Sequence, residues 1–435
     1  MYFKRLLLFC TLLFVFSLGI PPNETQGFAA TQSNDISPIQ DMIDQVDADM
    51  LYNLISNLSG EQPVSIGGEP YTIQTRYAFS GEPIEKAAQY LYEHYENLGL
   101  DADFHEFTYN DQILSNVVAE KVGTVFPERI LLITSHYDDV PSSPPAPGAD
   151  DDASGTAAVM IAAEILSQYE FGCTLRFVNF NAEEAGLIGS DRYAKQAYCA
   201  GEDLRGILNL DMIAWNTADS PKEMDLHHLP SNPESFEIAK LFEQVVEDYS
   251  LGIEPTFASP ITSASDHASF WRYGFPAILA SEDLDDFNPY WHTRSDRLAN
   301  LQDFEYYTEM VRASVGTFAN MGCLVENGWG IVSGKVSEKG TQAPVEGAAI
   351  SLYNPEWGYT FMTYSDKDGN YQLSALDGLH NISADGIGYS NTPAGDVRVL
   401  HDQTLSVNIE MEAVSEYANF LPLSTNEIPP LPGCP

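Results

Sequence analysis

Groups able to hold a divalent cation recur where apolar runs of this chain end. "RILLITSHYD" closes on His136 and Asp138, "TLRFVNFNAEEAG" on Glu183 and Glu184, and "LRGILNLDMIA" carries Asp211. "PAPGADDDASG", Pro145 to Gly155, adds Asp150, Asp151 and Asp152 with nothing basic among them, and "PYWHTRSD" adds His292. An isolated Asp run reads as a solvated loop. Ionised groups just after buried strands are another matter, because a fold interior expels them unless they are paired or metal-bound. Two imidazoles (His136, His292) and three carboxylates (Asp151, Glu184, Asp211), with Glu183 left over, make a ligand set for two divalent cations sharing a bridging carboxylate. A mixed nitrogen and oxygen set suits zinc best, with manganese or cobalt as alternatives.

The elements around these residues alternate. After a mostly helical stretch from about Asp41 to Leu100, with apolar residues three and four apart, strand and helix patterns follow one another. "RILLITSHYD" reads as a buried strand, "ASGTAAVMIAAEILSQY" as a helix, "TLRFVNFNAEEAG" as a strand, "GSDRYAKQAYC" as a helix and "LRGILNLDMIA" as a strand. A helix from about Pro233 to Tyr249, a strand "FPAILAS" and a long helix from about Leu301 to Met321 complete the series. Such alternation predicts an α/β fold, a mostly parallel mixed sheet sandwiched by helices. Ligand sites of these sheets gather beyond the carboxyl ends of the strands, where the metal-capable residues lie. Past "ENGWG" the pattern shifts to short alternating strands, predicting a small β-sandwich over 331–412 behind an α/β domain of 41–325. "DKDGN" within it places Gly fourth, where a calcium loop needs it sixth, and reads as a hairpin turn. The end, 413–435, is a Pro-rich tail.

Composition narrows the partners. With Lys plus Arg at 20 and Asp plus Glu at 63, the 435-residue chain carries a net charge of −43, which excludes a nucleic-acid partner. Residues 1–30 place Lys4 and Arg5 before an apolar run from Leu6 to Ile20, the pattern of a secretory signal peptide, and that run is short for a bilayer crossing. A secreted, extracellular protein with no membrane segment in its mature form is the expectation. Cys173, Cys199, Cys323 and Cys434 lie beyond the signal segment in no zinc-knuckle spacing, and their pairing is not readable from sequence. Asn23, Asn57 and Asn381 stand in glycosylation patterns that matter only in a eukaryotic secretory pathway.

"SHYD", "APGADDDASG", "FNAEEAGLIGS", "LNLDMIA", "SDHASF" and "PYWHT", in this order, resemble the secreted co-catalytic zinc aminopeptidases of the leucyl aminopeptidase and aminopeptidase Y type, over roughly Asp41 to Cys323. "GKV", "PVEGAAISL", "SDKDGNYQL" and "GY" resemble carboxypeptidase regulatory-like domains. The first resemblance implies the zinc exopeptidase fold, two zinc ions and peptide or protein amino termini as substrates. It implies that Asp151 bridges the metals, that His136 and Asp211 complete one site, that Glu184 and His292 complete the other, and that Glu183 is the general base. Asp138 would then accept a hydrogen bond from the far nitrogen of His136, and Asp266 and His267 would be structural. Two departures stand out: no cysteine precedes "SDHA", and no family tyrosine is matched beside His292, where Trp291 and Tyr290 stand instead. The alternatives are a carboxypeptidase or glutaminyl cyclase of the same fold, or a catalytically silent binding protein. No feature names a partner for the β-sandwich.

Overall fold

A computed structural model of the chain describes residues 37–325, 328–355, 357–414 and 434. The expected signal peptide lies outside the described residues, as does most of the expected tail. In chain order the elements are helices α1 (Pro38–Asp44) and α2 (Ala48–Leu58), strands β1 (Val64–Ile66) and β2 (Glu69–Tyr71), and helix α3 (Glu82–Asn97). Then come β3 (Asp101–Tyr109), β4 (Gln112–Lys121), β5 (Phe126–His136), α4 (Ala153–Leu166), β6 (Cys173–Phe180), α5 (Ile188–Ala200) and β7 (Asp203–Leu210). The α/β part ends with β8 (Glu223–His228), α6 (Pro233–Asp248), β9 (Glu254–Phe257), α7 (His267–Arg272), β10 (Ala277–Glu282) and α8 (Phe304–Met321). No described helix is long and apolar enough to cross a membrane.

Eight strands form one mixed sheet in the order β3-β4-β6-β5-β7-β10-β8-β9. The central four, β6, β5, β7 and β10, run parallel, so their carboxyl ends open on one edge. Their side chains are buried on both faces, which is why they read as unbroken apolar runs and not as alternation. Helix α4 is buried all round except for Glu164 near its end. Its alanines let it lie between the sheet and the outer helices α2, α3 and α8. Helices α5 and α7 cover the opposite face over Ile130, Val178, Phe180, Tyr193 and Phe270.

The β3–β4 hairpin is a departure from the sequence reading, which left 101–121 unassigned. It pairs antiparallel and adds an edge to the parallel core through β4 and β6. Its two-residue turn, Asn110 and Asp111, has both φ values positive (49° and 60°), the conformation that Asn and Asp tolerate best after Gly and that matches strand twist. "YNDQ" between alternating runs is the signal that marks it.

The strand-rich part consists of β11 (Trp329–Glu338), β12 (Ala349–Asn354), β13 (Tyr359–Tyr364), β14 (Asn370–Leu376), β15 (Gly378–Asp385), β16 (Thr392–Val399), β17 (Thr404–Ser406) and β18 (Ile409–Met411). One sheet is ordered β14-β11-β17 with β18 also on β11, and the other β13-β12-β15-β16. "DKDGN" forms the turn between β13 and β14, where Asp366 accepts from the N–H groups of Asp368 and Asn370. The sandwich meets the α/β domain at the amino ends of β5 and β6. There Phe126 packs against Trp357 and Tyr359, with ring centres 6.0 and 4.7 Å away, and Trp329 donates to Glu170 at 2.6 Å. A Cys173–Cys323 disulfide closes the same junction, and Cys199 at the end of α5 pairs with Cys434. The sandwich therefore sits at the end of the strands opposite His136.

Candidate metal centre and active site

Four of the five sequence-predicted ligands stand at or near element ends: His136 closes β5, Glu184 follows β6 beside Glu183, Asp211 follows β7, and Asp151 precedes α4, whereas His292 lies in the connection between β10 and α8. The fold brings all five ligand candidates into two triads. The ligand atoms of His136, Asp151 and Asp211 lie within 4.8 Å of one another, as do those of Asp151, Glu184 and His292. Nε2 of His136 is 3.3 Å from Oδ1 of Asp151 and 3.4 Å from Asp211. Nε2 of His292 is 3.3 Å from Oδ2 of Asp151 and 2.9 Å from Glu184. One oxygen of Asp151 thus faces each triad.

The three aspartates of the acidic loop are buried, and their neighbours explain how. Asp152 caps α4 through Gly155 N–H at 2.8 Å and accepts from His136 N–H at 3.2 Å. Asp150 turns the other way, accepting from Ala214 N–H at 2.9 Å and the Asn288 amide at 2.7 Å. Burial raises its pKa, as it does that of Glu282. Asp296 accepts the main-chain N–H groups of Asp150 and Asp151, each at 3.0 Å. Only Asp151 is left facing both histidines. A side chain at Gly155 would meet Asp152 and the Leu210 carbonyl at 2.6 Å, so the third residue of α4 has to be glycine.

Asp138 behaves differently from the sequence expectation. Nδ1 of His136 lies 3.1 Å from the main-chain oxygen of Asp138, while the carboxylate is 3.7 Å away. That carboxylate instead accepts the N–H groups of Glu183 and Glu184, at 3.0 and 3.3 Å. It orients the Glu pair, and the imidazole is set by the peptide carbonyl. The cysteine-free loop before "SDHA" is held by histidines: Thr262 N–H donates to Nδ1 of His227 at 3.1 Å, and Nε2 of His267 lies 3.1 Å from the Thr262 carbonyl. Tyr290 packs its ring against Trp215.

Arg76, absent from the sequence reading, is fully buried beneath the loop between β5 and α4. It donates to the carbonyls of Leu58, Tyr137, Pro147 and Gly148 at 2.6 to 2.9 Å. Its own N–H meets the Asp139 carboxylate at 3.0 Å. Nothing in "QTRYAF" distinguishes it from a surface arginine, whereas Asp296, four residues after His292, lay inside a quoted motif.

The electrostatics suit bound cations. Burial alone would lower the pKa of both ligand histidines, but the carboxylates win. His136 is raised well above the usual imidazole range by Asp211, Glu183, Asp138 and Asp151. His292 is pushed up to about 10 by Asp151 and Glu184. Asp151 is held below the usual carboxylate range by the two imidazoles, despite its burial. Burial, with Asp151 nearby, pushes Glu184 up to about 7. Metal-free, the site therefore keeps protons on its imidazoles, positive charge where divalent ions would otherwise supply it. The nitrogen and carboxylate donors, the shared Asp151 and a buried Glu184 oxygen with no hydrogen-bond partner fit a pair of zinc-like ions.

Glu183 ligates in neither triad. Its pKa is raised well above the usual range by burial, with Asp211, Asp266 and Glu184 adding to the effect against His136. It lines a cavity of about 280 Å³ together with both triads. Its lining also includes apolar Met212, Ala264, Leu279, Leu284, Phe287 and Trp291, together with Thr262, Ser265, Ser281 and Glu282.

A sheet with two His–carboxylate triads beyond its strand ends and a spare carboxyl beside them has the make-up of a metal-dependent hydrolase. Residues 116–312 match the model of peptidase family M28, and residues 331–412 that of the carboxypeptidase regulatory-like domain. A probable leucine aminopeptidase of Arthroderma otae is 28% identical over 284 residues, 62% of this chain and 74% of that one. Another, of Trichophyton verrucosum, is 31% identical over 212 residues, 46% of this chain and 54% of that one. BSAP, a zinc aminopeptidase from Bacillus subtilis, superposes with a TM-score of 0.54 at 15% identity, covering 63% of this chain and 95% of its own. A Bacteroides thetaiotaomicron glutaminyl cyclase gives 0.52 at 18%, covering 63% and 98%. At such identities the solved structures share the fold. Residues 116–312 thus match peptidase family M28 and residues 331–412 a carboxypeptidase regulatory-like domain, and with leucine aminopeptidases among its relatives the chain is a metallopeptidase.

Proposed function

We propose that this chain is a secreted aminopeptidase that removes amino-terminal residues from peptides at a two-zinc centre, with Glu183 as general base. The observation that carries the reading is Asp151, whose two oxygens face separate His-carboxylate triads beside a carboxyl that belongs to neither. His136 and Asp211 would hold one ion, Glu184 and His292 the other, and Asp151 both. Two such ions activate a shared water and polarise the scissile carbonyl. Glu183, with its elevated proton affinity, is suited to take the proton from that water and pass it to the leaving nitrogen. Asp138 keeps the base in place by accepting its main-chain N–H.

Recognition of the free amine follows from charge. Asp151, Glu183, Glu184 and Asp211 line the cavity where two divalent ions would sit, and the carboxyl of Asp138 is buried behind them. A substrate ammonium is attracted there, which registers the first peptide bond over the metals. The apolar part of the lining suits a large apolar first residue. Export of the chain rests on the charged and apolar pattern of residues 1–30.

Glu183→Gln tests the assignment: turnover should fall about 10²- to 10⁴-fold while both ions stay bound. Near wild-type turnover at full metal content would remove Glu183 from the role. Mass spectrometry of a peptide and its acetylated twin separates the alternatives. Loss of one amino-terminal residue from the free peptide alone supports the aminopeptidase reading. Trimming from the carboxyl end would show a carboxypeptidase, and cyclisation of an amino-terminal glutamine without cleavage a cyclase.

A further inference from the structure

We infer that Trp291 is a positioning residue for the second triad: its indole, stacked on His292, holds that imidazole in its ligating orientation and joins the half-site to the apolar lining of the cavity. The inference rests on the two-ion reading above. The two ligand histidines are supported in different ways. The side chain of His136 is 1% exposed, and its Nδ1 meets the Asp138 carbonyl at 3.1 Å, so one ring orientation is enforced. His292 is 37% exposed at the side chain, its φ is +57°, and its Nδ1 has no protein hydrogen-bond partner among the described residues. What it has is the indole, with ring centres 3.7 Å apart and planes inclined by 22°. A protonated or metal-bound imidazole is electron-poor, and the indole face is the most electron-rich surface a side chain offers.

Trp291 is itself fixed. Phe287 packs edge-on against its ring at 5.3 Å, and the Trp291 main-chain N–H donates to the Asn288 carbonyl at 3.2 Å. The Asn288 amide in turn donates to Asp150, so the stack stands on the frame that carries the acidic loop. The indole remains 42% exposed and forms the cavity wall with Leu284 and Phe287. One ring therefore touches both a metal ligand and the space for the substrate's first side chain. By linkage, an apolar ligand in the cavity and an ion at the His292 site should strengthen each other's binding.

The test is zinc titration of the metal-stripped full chain against a chromophoric chelator, for wild type, Trp291→Phe and Trp291→Ala. Wild type should take two ions. Trp291→Ala should weaken one of them about 10- to 100-fold, the usual effect of removing a residue that orients a metal ligand, while the other changes less than about threefold. Trp291→Phe, which keeps a stacking ring, should restore most of the loss. A Trp291→Ala chain that binds both ions as wild type does, or weakens both alike, would overturn the inference. A wild-type chain that takes one ion only would sink the two-ion reading, and with it the inference, before any variant is compared. Should Trp291→Ala fail to fold, indole emission decides the matter. The second equivalent of cobalt should quench wild type and leave Trp291→Phe unchanged, and equal quenching in both would overturn the assignment.

Discussion

Arg76 offers the sharpest measurement of how the acidic loop is held. Replacing it with Met keeps much of the volume but removes the donors to four carbonyls and the partner of Asp139, whose carboxylate lies 3.6 Å from the guanidinium with both groups fully buried. Leaving one member of a buried ion pair alone costs about 3–5 kcal/mol. Each orphaned carbonyl would add ~1–3 kcal/mol if it stayed dry, and four of those would rival the ~5–15 kcal/mol of a whole domain. The loop must therefore open to water, which limits the stability loss to the ion-pair figure and moves the damage to the metal site. Gly148 shows the route. Its carbonyl accepts from Arg76, its φ is +45°, and any Cβ there would lie 2.3 Å from the main-chain oxygen of Asp151. Arg76→Met should thus cost about 3–5 kcal/mol in urea unfolding at pH 8 and weaken both metal sites together, unlike the one-sided effect expected at Trp291. Asp139, already pushed up to about 7 by burial against the pull of Arg76, should take a proton in the variant, so the loss should shrink at pH 5.5. Adding Asp139→Asn should cost much less than the two single losses summed. A loss below about 1 kcal/mol with metal affinity intact would show that the loop stands without the arginine.

Without metal, stability should rise as pH falls from 8 to 6. Burial raises Asp139, Glu184 and Asp266 each to about 7 in the fold, while unfolded carboxyls titrate near 4, so the folded chain binds protons first. Each adds ~1.4 kcal/mol per pH unit below 7. His267, lowered to about 3 by burial, opposes this below pH 6.5. A thermal-melting series with and without zinc checks the prediction, and a metal-free chain that is most stable at pH 8 would contradict it. Truncation after residue 325 should keep both metal sites and cleavage of small substrates, because the sandwich docks at the opposite end of the strands. It should also lower solubility by uncovering Phe126 and the Gly172 backbone under Trp357. A folded, metal-loaded truncation without activity would place the sandwich in the chemistry.

What could be read in the sequence follows from where physical demands act locally. A parallel strand buried on both faces must be apolar throughout, so a charged residue at its end is conspicuous, and His136, Glu183, Glu184 and Asp211 stood out for that reason. Their partners answer to through-space demands that leave no mark along the chain. Asp296 and Asn288 are needed only because Asp150 and Asp151 arrive from about 140 residues away. Asp138 shows the same limit at short range. Its type fitted a carboxylate that orients an imidazole, but two N–H groups left unpaired by the Glu183 turn claimed it, and the adjacent carbonyl served the histidine. The Cys199–Cys434 pairing spans 235 residues and has no local correlate at all.

In the "DDD" run, residue type and environment part company. Three identical side chains in sequence have three different environments, because the backbone sends one to the helix start, one to the Asn288 loop and one to the open space between the histidines. Asp152 and Asp150 are satisfied by N–H donors of the fold, so neither needs a cation. Asp151 is not: its carboxylate meets only the two imidazoles, each also claimed by a further acid. In a buried site, charge of one sign left over after all protein donors are spent has to be met by protons or by metal. Protons can balance it only while both histidines stay charged, a state divalent ions would abolish by taking their nitrogen lone pairs. Metal uptake should therefore release protons near neutral pH, and calorimetric titration in buffers of different ionisation enthalpy would count them. A heat of zinc binding independent of the buffer would mean that the imidazoles were already neutral, and that the charge balance drawn here for Asp151 is wrong.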